Sequence, residues 1–222
     1  MPKLPKLNII YEDNHLLVVE KPAGIPVQAD SSKDIDMLTI LKEYRKVNEN
    51  KIGDAFIGLV HRLDRPVSGI MVFAKTSKAA SRLSDQIRQN AFHKTYLAVV
   101  QGILPSKGTF EDYLIKNEKE NISYVTTKEK GKYSKLDYKL LNTKNNLSLV
   151  EVTLITGRSH QIRVQFSSRN HPLVGDSKYG HNKSNIDIAL FAKSITFNHP
   201  TTKEELTFTL DIPNKYPFNL FK

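Results

Sequence analysis

The stretch from Leu136 to Ile155 constrains the fold more than any other. Two strand-like segments, Leu136–Leu141 and Leu147–Ile155, flank Asn145-Asn146, and asparagine is among the few residues that tolerate the positive φ of a tight hairpin turn. Strands joined so closely pair antiparallel, because a parallel pair needs a crossover of a dozen residues or more. The pattern recurs. Leu7–Tyr11 and Leu16–Val19 lie either side of Glu12-Asp13-Asn14-His15, and Ala189–Asn198 precedes Glu205–Leu210. Lys21-Pro22-Ala23-Gly24 breaks the second strand, since proline lacks an N–H and glycine admits positive φ.

Helical spacing is confined to a few segments between these hairpins. Leu38–Val47 reads as a helix. A second starts at Ser77 as N-cap, carries Ala80, Leu83, Ser84 and Ile87 on one face and ends near Asn90. A third is expected over Ser159–Ser167, after Gly157. Ile70–Phe73 and Thr95–Val100 add short strands. The expected class is α+β, with a mixed, largely antiparallel central sheet flanked by helices. No repeat or Gly/Ser linker divides the 222 residues, so one catalytic domain over 1–222 is expected.

Three absences narrow the function. There is no cysteine, hence no disulfide framework or thiolate metal site. The longest apolar run near the start, Leu16–Val19, is far short of the ~18 residues of a membrane span. A cytoplasmic protein with no membrane association is expected. No GxxxxGK[ST] or GxGxxG occurs, and neither His61 with Asp64 nor His160 with His171 and Asp176 has a standard metal-ligand spacing, so no metal or nucleotide cofactor is expected. The net charge of +10 and pI of 9.6 fit an anionic partner, and fit equally a lysine-rich surface that keeps the chain soluble.

Polar groups concentrate in two places. His61-Arg62-Leu63-Asp64-Arg65-Pro66-Val67-Ser68-Gly69 puts one carboxylate among cations in a Pro- and Gly-containing loop just before an apolar strand. A rigid strand fixes such a carboxylate while the loop leaves it reachable, as a nucleophile or base requires. An Arg–Asp network tying down a turn would look the same. The second cluster, Thr156-Gly157-Arg158-Ser159-His160-Gln161-Ile162-Arg163, would place Arg158 at a helix N-terminus suited to phosphate, with His160 and Arg163 within one helical turn. A solvated amphipathic helix is the plainer alternative. Tyr96 suits stacking on a base or simple core packing, and Asp176 suits a catalytic carboxylate or turn chemistry.

Taken in order, these segments resemble the RluA-type family of RNA pseudouridine synthases. YEDNHLLVVEKPAG resembles the family's opening hairpin and first motif, and HRLDRPVSG its signature loop. KTYLAVVQG, TGRSHQIRVQF, HPLVGDSKYG and AKSITFNHPTTKEELTF resemble the later blocks. The resemblance implies Asp64 as the essential aspartate and Arg62 as the residue that displaces the target uridine from its stack. It implies Tyr96 as the tyrosine packed on the uracil and Arg163 as the basic partner of the aspartate, with Arg158 and His160 as substrate-binding candidates. Val67 departs from the family's usual threonine, and Phe191 stands where many members have histidine.

The implied partner is structured RNA, ribosomal or transfer, with no organic cofactor, no protein partner and a monomeric state. The small RNA-binding domain that some members carry in front is not expected. A carboxylate has three routes open: addition to C6 of the base, attack at C1′, or removal of the 2′ proton. Two other classes are a metal-independent ribonuclease using His61 and His160, and a silent RNA-binding or ribosome-assembly protein.

Overall fold

The computed structural model describes residues 7–50, 53–180 and 185–222. The architecture is α+β, as expected, and its chain divides into two compact units, Met1–Phe92 with Ser194–Leu210, and His93–Lys193 with Asp211–Lys222.

In the first unit, β1 (Asn8–Glu12) and β2 (Leu16–Lys21) form an antiparallel hairpin. Its turn is closed by Asp13, whose Oδ1 accepts the N–H groups of His15 and Leu16 at 2.6 and 2.7 Å. β2 pairs with β4 (Ser68–Ala74) from Leu16↔Ala74 to Lys21↔Gly69. Leu16–Val19 and Ile70–Ala74 are fully buried, which explains why both read as unbroken apolar runs: both faces are covered. The short β3 (Gly58–Leu59) also pairs with β4.

Helix α1 (Met37–Asn48) is N-capped by Asp36, whose side chain accepts from Leu38 and Thr39 N–H. Helix α2 (Ser77–Arg88) is capped by Thr76 rather than Ser77; Thr76 Oγ1 takes the Ala79 N–H at 3.1 Å, and Ser77 becomes the first helical residue. The strand order is β1-β2-β4-β10, where β10 (Leu190–Asn198) begins in the second unit and β11 (Glu205–Thr209) pairs with its later residues. His199, just past β10, donates from Nε2 to Asp13 Oδ2 (2.8 Å) and accepts Thr201 and Thr202 N–H at Nδ1.

The second unit orders its strands β5-β9-β8-β6-β7, all antiparallel: β5 (His93–Gln101), β6 (Lys107–Asn117), β7 (Ile122–Thr126), β8 (Lys132–Lys144) and β9 (Leu147–Leu154). The β8–β9 hairpin turns at Asn145 and Asn146, with φ of 53° and 58°, the left-handed pair that its sequence foretold. Helix α3 covers only Gln161–Ser167, not Ser159–Ser167. The side chain of Gln161 sets the boundary: its Oε1 accepts Thr156 Oγ1–H (2.8 Å) and Arg158 N–H (3.0 Å), holding residues 156–160 as a loop with His160 at φ 54°. Phe166 of α3 packs edge-on against Phe110 of β6. Among the described residues no helix is long and apolar enough to cross a membrane.

Candidate active site

The register of β2 against β4 sets the loop that follows β2 beside the loop that precedes β4. In the second of these, Leu63 and Val67 are buried and anchor the ends of a turn closed by Val67 N–H on the Asp64 carbonyl (3.0 Å). Between these anchors Asp64 is half-buried, while Arg62 is exposed. Arg65 and Gly24 exchange hydrogen bonds, Gly24 N–H to the Arg65 carbonyl and Arg65 Nε to the Gly24 carbonyl, both 2.9 Å. Arg65 also binds Asp34. The arginine after Asp64 therefore ties this loop to the one that follows β2 and to Asp34.

In the sequence Lys21 stands out only as part of a strand break, within the segment that resembles the family's first motif. It is fully buried, and its ammonium donates to the carbonyls of Pro22 (2.8 Å), Ile25 (2.7 Å) and Arg65 (3.0 Å), clamping one loop to the other. Burial pushes this lysine down to about 8, against the pull of the Asp64 negative charge, with the Arg65 cation adding to the depression. His61 is buried, with Nε2 accepting Val72 N–H at 3.1 Å and its ring tilted on Phe92. A histidine so engaged is poorly placed for acid–base work.

In the second unit, Tyr96 is 6% exposed on β5 and faces the same side as Lys94, two residues before it. A Cβ on Gly157 would lie 3.4 Å from Lys94 Nζ, so the lysine reaches the 156–160 loop, and burial lowers its pKa. Arg163 extends Nε and Nη2 to Asp176 Oδ2 and Oδ1, at 2.8 and 2.7 Å, with side-chain exposures of only 3% and 0%. Asp176 also accepts Lys178 and Tyr179 N–H (3.0 and 3.1 Å). Burial alone would raise this carboxyl; the Arg163 guanidinium and the two N–H donors outweigh it and hold it below the usual carboxylate range. Of its two sequence readings, turn chemistry is the one the geometry fits, with a bidentate arginine added.

The Arg163 guanidinium lies 5.1 Å from the centre of the Tyr179 ring. The Tyr179 hydroxyl meets His160 Nδ1 at 2.8 Å and accepts Ser123 N–H at 2.7 Å. Burial raises that phenol. His160 and Arg163 thus converge on one tyrosine, which lies in the HPLVGDSKYG block. Arg158 does not join them: it is exposed and donates from Nε to the Tyr133 carbonyl at 2.9 Å. Gly157 and Arg158 precede the helix by about a turn, so Arg158 does not stand at its N-terminus as expected. Gly175 sits at φ +75°, where a Cβ would come within 2.4 Å of the Asp187 carbonyl oxygen, so only glycine lets this loop present Asp176. Arg62 and Asp64 belong to the first unit, and Tyr96, Arg158, His160 and Arg163 to the second. Among the described residues no three His, Cys, Asp or Glu side chains are grouped to hold a metal.

Comparison with known proteins bears on this arrangement. The "Ribosomal large subunit pseudouridine synthase C" of Buchnera aphidicola subsp. Baizongia pistaciae is 35% identical over 212 residues, 90% of this chain and 65% of that protein. The "Uncharacterized RNA pseudouridine synthase YhcT" of Bacillus subtilis is 34% identical over 222 residues, 96% of this chain and 72% of that one. This chain therefore spans about two thirds of the length of these relatives. The solved structure of "Human RNA Pseudouridylate Synthase Domain Containing 4" shares the fold, with a TM-score of 0.81, 22% identity and coverage of 96% of this chain and 92% of that one. The RNA pseudouridylate synthase family model matches residues 15–168, which include Asp64, Tyr96 and Arg163, and the chain belongs to that family, within its RluA-type branch.

Proposed function

We propose that this protein converts uridine to pseudouridine in structured RNA, with ribosomal RNA favoured over transfer RNA because relatives are ribosomal large subunit pseudouridine synthases. The observation that carries the reading is Asp64: a half-buried carboxylate on a loop pinned at both ends, in a segment covered by the family model. In the reaction the N1–C1′ bond breaks, the uracil turns, a C5–C1′ bond forms, C5 loses its proton to solvent and N1 gains one. No electrons are exchanged with a second substrate.

Asp64 supplies the oxygen nucleophile or base. Arg62, exposed two residues away, enters the stack as the uridine leaves it; extrusion of a base costs a few kcal/mol and favours loops and distorted stems. Tyr96 packs on the uracil, and Arg163 provides the cation that accompanies the aspartate, held in place by Asp176 and Tyr179. His160 acts through Tyr179 as a positioning residue, and Arg158 contacts the RNA backbone from the surface.

Tritium release from ribosomal RNA labelled at uridine C5 tests the reading. Wild type should release tritium and Asp64→Asn should not. A silent wild type would refute the activity, and an Asp64→Asn rate within about tenfold of wild type would refute the residue, since a positioned acid–base group contributes about 10²–10⁴-fold.

A further inference from the structure

We propose that the open face of strands β6, β7 and β8 is a platform for a single-stranded segment of RNA, its bases stacking on Tyr113, Tyr124 and Tyr133. The inference rests on the reading of the protein as an RNA enzyme, and adds a binding surface on strands that carry none of the residues assigned to the reaction.

Register places the three rings together. Tyr113 pairs with Tyr133 across β6 and β8, and Ile115 with Tyr124 across β6 and β7, so all four side chains leave the same side of the sheet. The alternate residues Phe110, Leu114, Ser123, Ser134 and Leu136 are buried on the other side, where Phe110 meets α3. The open side is exposed: Tyr124 is 45%, Ile115 44% and Tyr133 40% accessible. The Tyr113 and Tyr133 rings meet edge to face at 5.8 Å. Two hydroxyls are tethered to carboxylates, Tyr124 to Glu120 at 2.8 Å and Tyr133 to Glu111, which leaves the rings themselves as the part offered to a ligand.

The charge around the rings selects the ligand. The turn joining β7 to β8 carries Lys128 and Lys130 against a single glutamate, Glu129, and Lys132 opens β8 directly after it, all exposed. On the β8 side, Arg158 is bound to the backbone of Tyr133 itself. Aromatic faces bordered by cations suit a strand whose bases are free to stack and whose phosphates follow the basic rim. A duplex has its bases already stacked inside and can use only the rim. A protein partner would need an acidic surface to match the same turn.

Direct binding of a short fluorescein-labelled oligouridylate, read by anisotropy, tests this without any need for turnover. Wild type should bind it. Tyr124→Ala/Tyr133→Ala should bind at least about tenfold more weakly with an unchanged salt slope, because stacking is lost and phosphate contacts are kept. Tyr124→Phe/Tyr133→Phe should bind like wild type, since the rings remain. Lys128→Gln/Lys130→Gln/Lys132→Gln should lower both affinity and salt slope, the latter by about 2. A blunt duplex should not distinguish the alanine pair from wild type. If wild type ignored the oligonucleotide, or the alanine pair bound it within about twofold of wild type, the platform would be wrong. Ring-dependent binding by a protein that releases no tritium would instead keep the platform and remove the proposed reaction.

Discussion

Replacing Asp176 with asparagine isolates what the Arg163–Asp176 pair contributes. Asparagine keeps the shape and can still accept the Lys178 and Tyr179 N–H groups, but leaves the guanidinium without its counter-charge. Breaking a buried ion pair by removing one partner costs about 3–5 kcal/mol. With exposures of 3% and 0% this pair belongs to that class, and the retained backbone contacts place Asp176→Asn at the lower end, about 3 kcal/mol. For a chain of this size that is a melting temperature lower by about 6–12 °C, within a total stability of about 5–15 kcal/mol, so the variant should fold.

Thermal melts should be paired with tritium release, which should fall because Arg163 is no longer held. The double variant Arg163→Met/Asp176→Leu should lose less stability than the sum of the singles, since neither charge is then stranded. The pH dependence has a definite sign. The folded Asp176 carboxyl lies below its unfolded value of about 3.9, so its contribution is complete above that pH and is lost as pH falls through the folded value. The wild-type advantage over Asp176→Asn should therefore be flat near neutrality and fade in acid. A variant melting within about 2 °C of wild type, or an advantage that grew in acid, would refute the assignment of the pair as the anchor.

Tyr96→Phe should keep RNA affinity and lose most turnover in single-turnover assays, because the ring survives and the hydroxyl does not; a near-normal rate would reduce the position to stacking. Lys21→Met removes the buried ammonium, whose folded value of about 8 lies below the unfolded ~10.4. Between those values the unfolded wild type holds a proton that the folded one has released, so wild-type stability should rise with pH relative to the variant; denaturant titrations showing parallel pH profiles would refute it. Gly175→Ala forces a Cβ toward the Asp187 carbonyl at positive φ and should cost more than about 2 kcal/mol in chemical denaturation, with tritium release falling alongside.

What could be read in the chain beforehand followed from local pattern. β2 and β4 were legible as apolar runs, and the β8–β9 turn as two asparagines. β6 and β7 were not, because only Phe110 and Leu114 face inward on β6 while Tyr113, Ile115, Tyr124 and Val125 face outward or lie at the edge, erasing the alternation. The start of α3 was misplaced because a side chain, Gln161, decides it. Asp64 and Arg62 stood out through their dense motif. Asp176 gave an ambiguous signal, since its arginine lies 13 residues away with no periodicity to connect them. Lys21 gave none: its three carbonyl partners come from two loops brought together by strand register alone.

The interleaved make-up of the two units bears on how the chain is born. Its first unit is complete only when Ser194–Leu210 joins Met1–Phe92, and about a hundred residues separate the two stretches. At a synthesis rate of about 5–20 residues per second, the first 92 residues wait roughly 5–20 s for them. During that interval β4 lacks its neighbour β10 and Asp13 lacks His199. A nascent sheet with an open apolar edge is a template for pairing with other chains. Slow translation prolongs that exposure, so the yield of native protein from a ribosome should depend on whatever shields β4 until the last strands emerge.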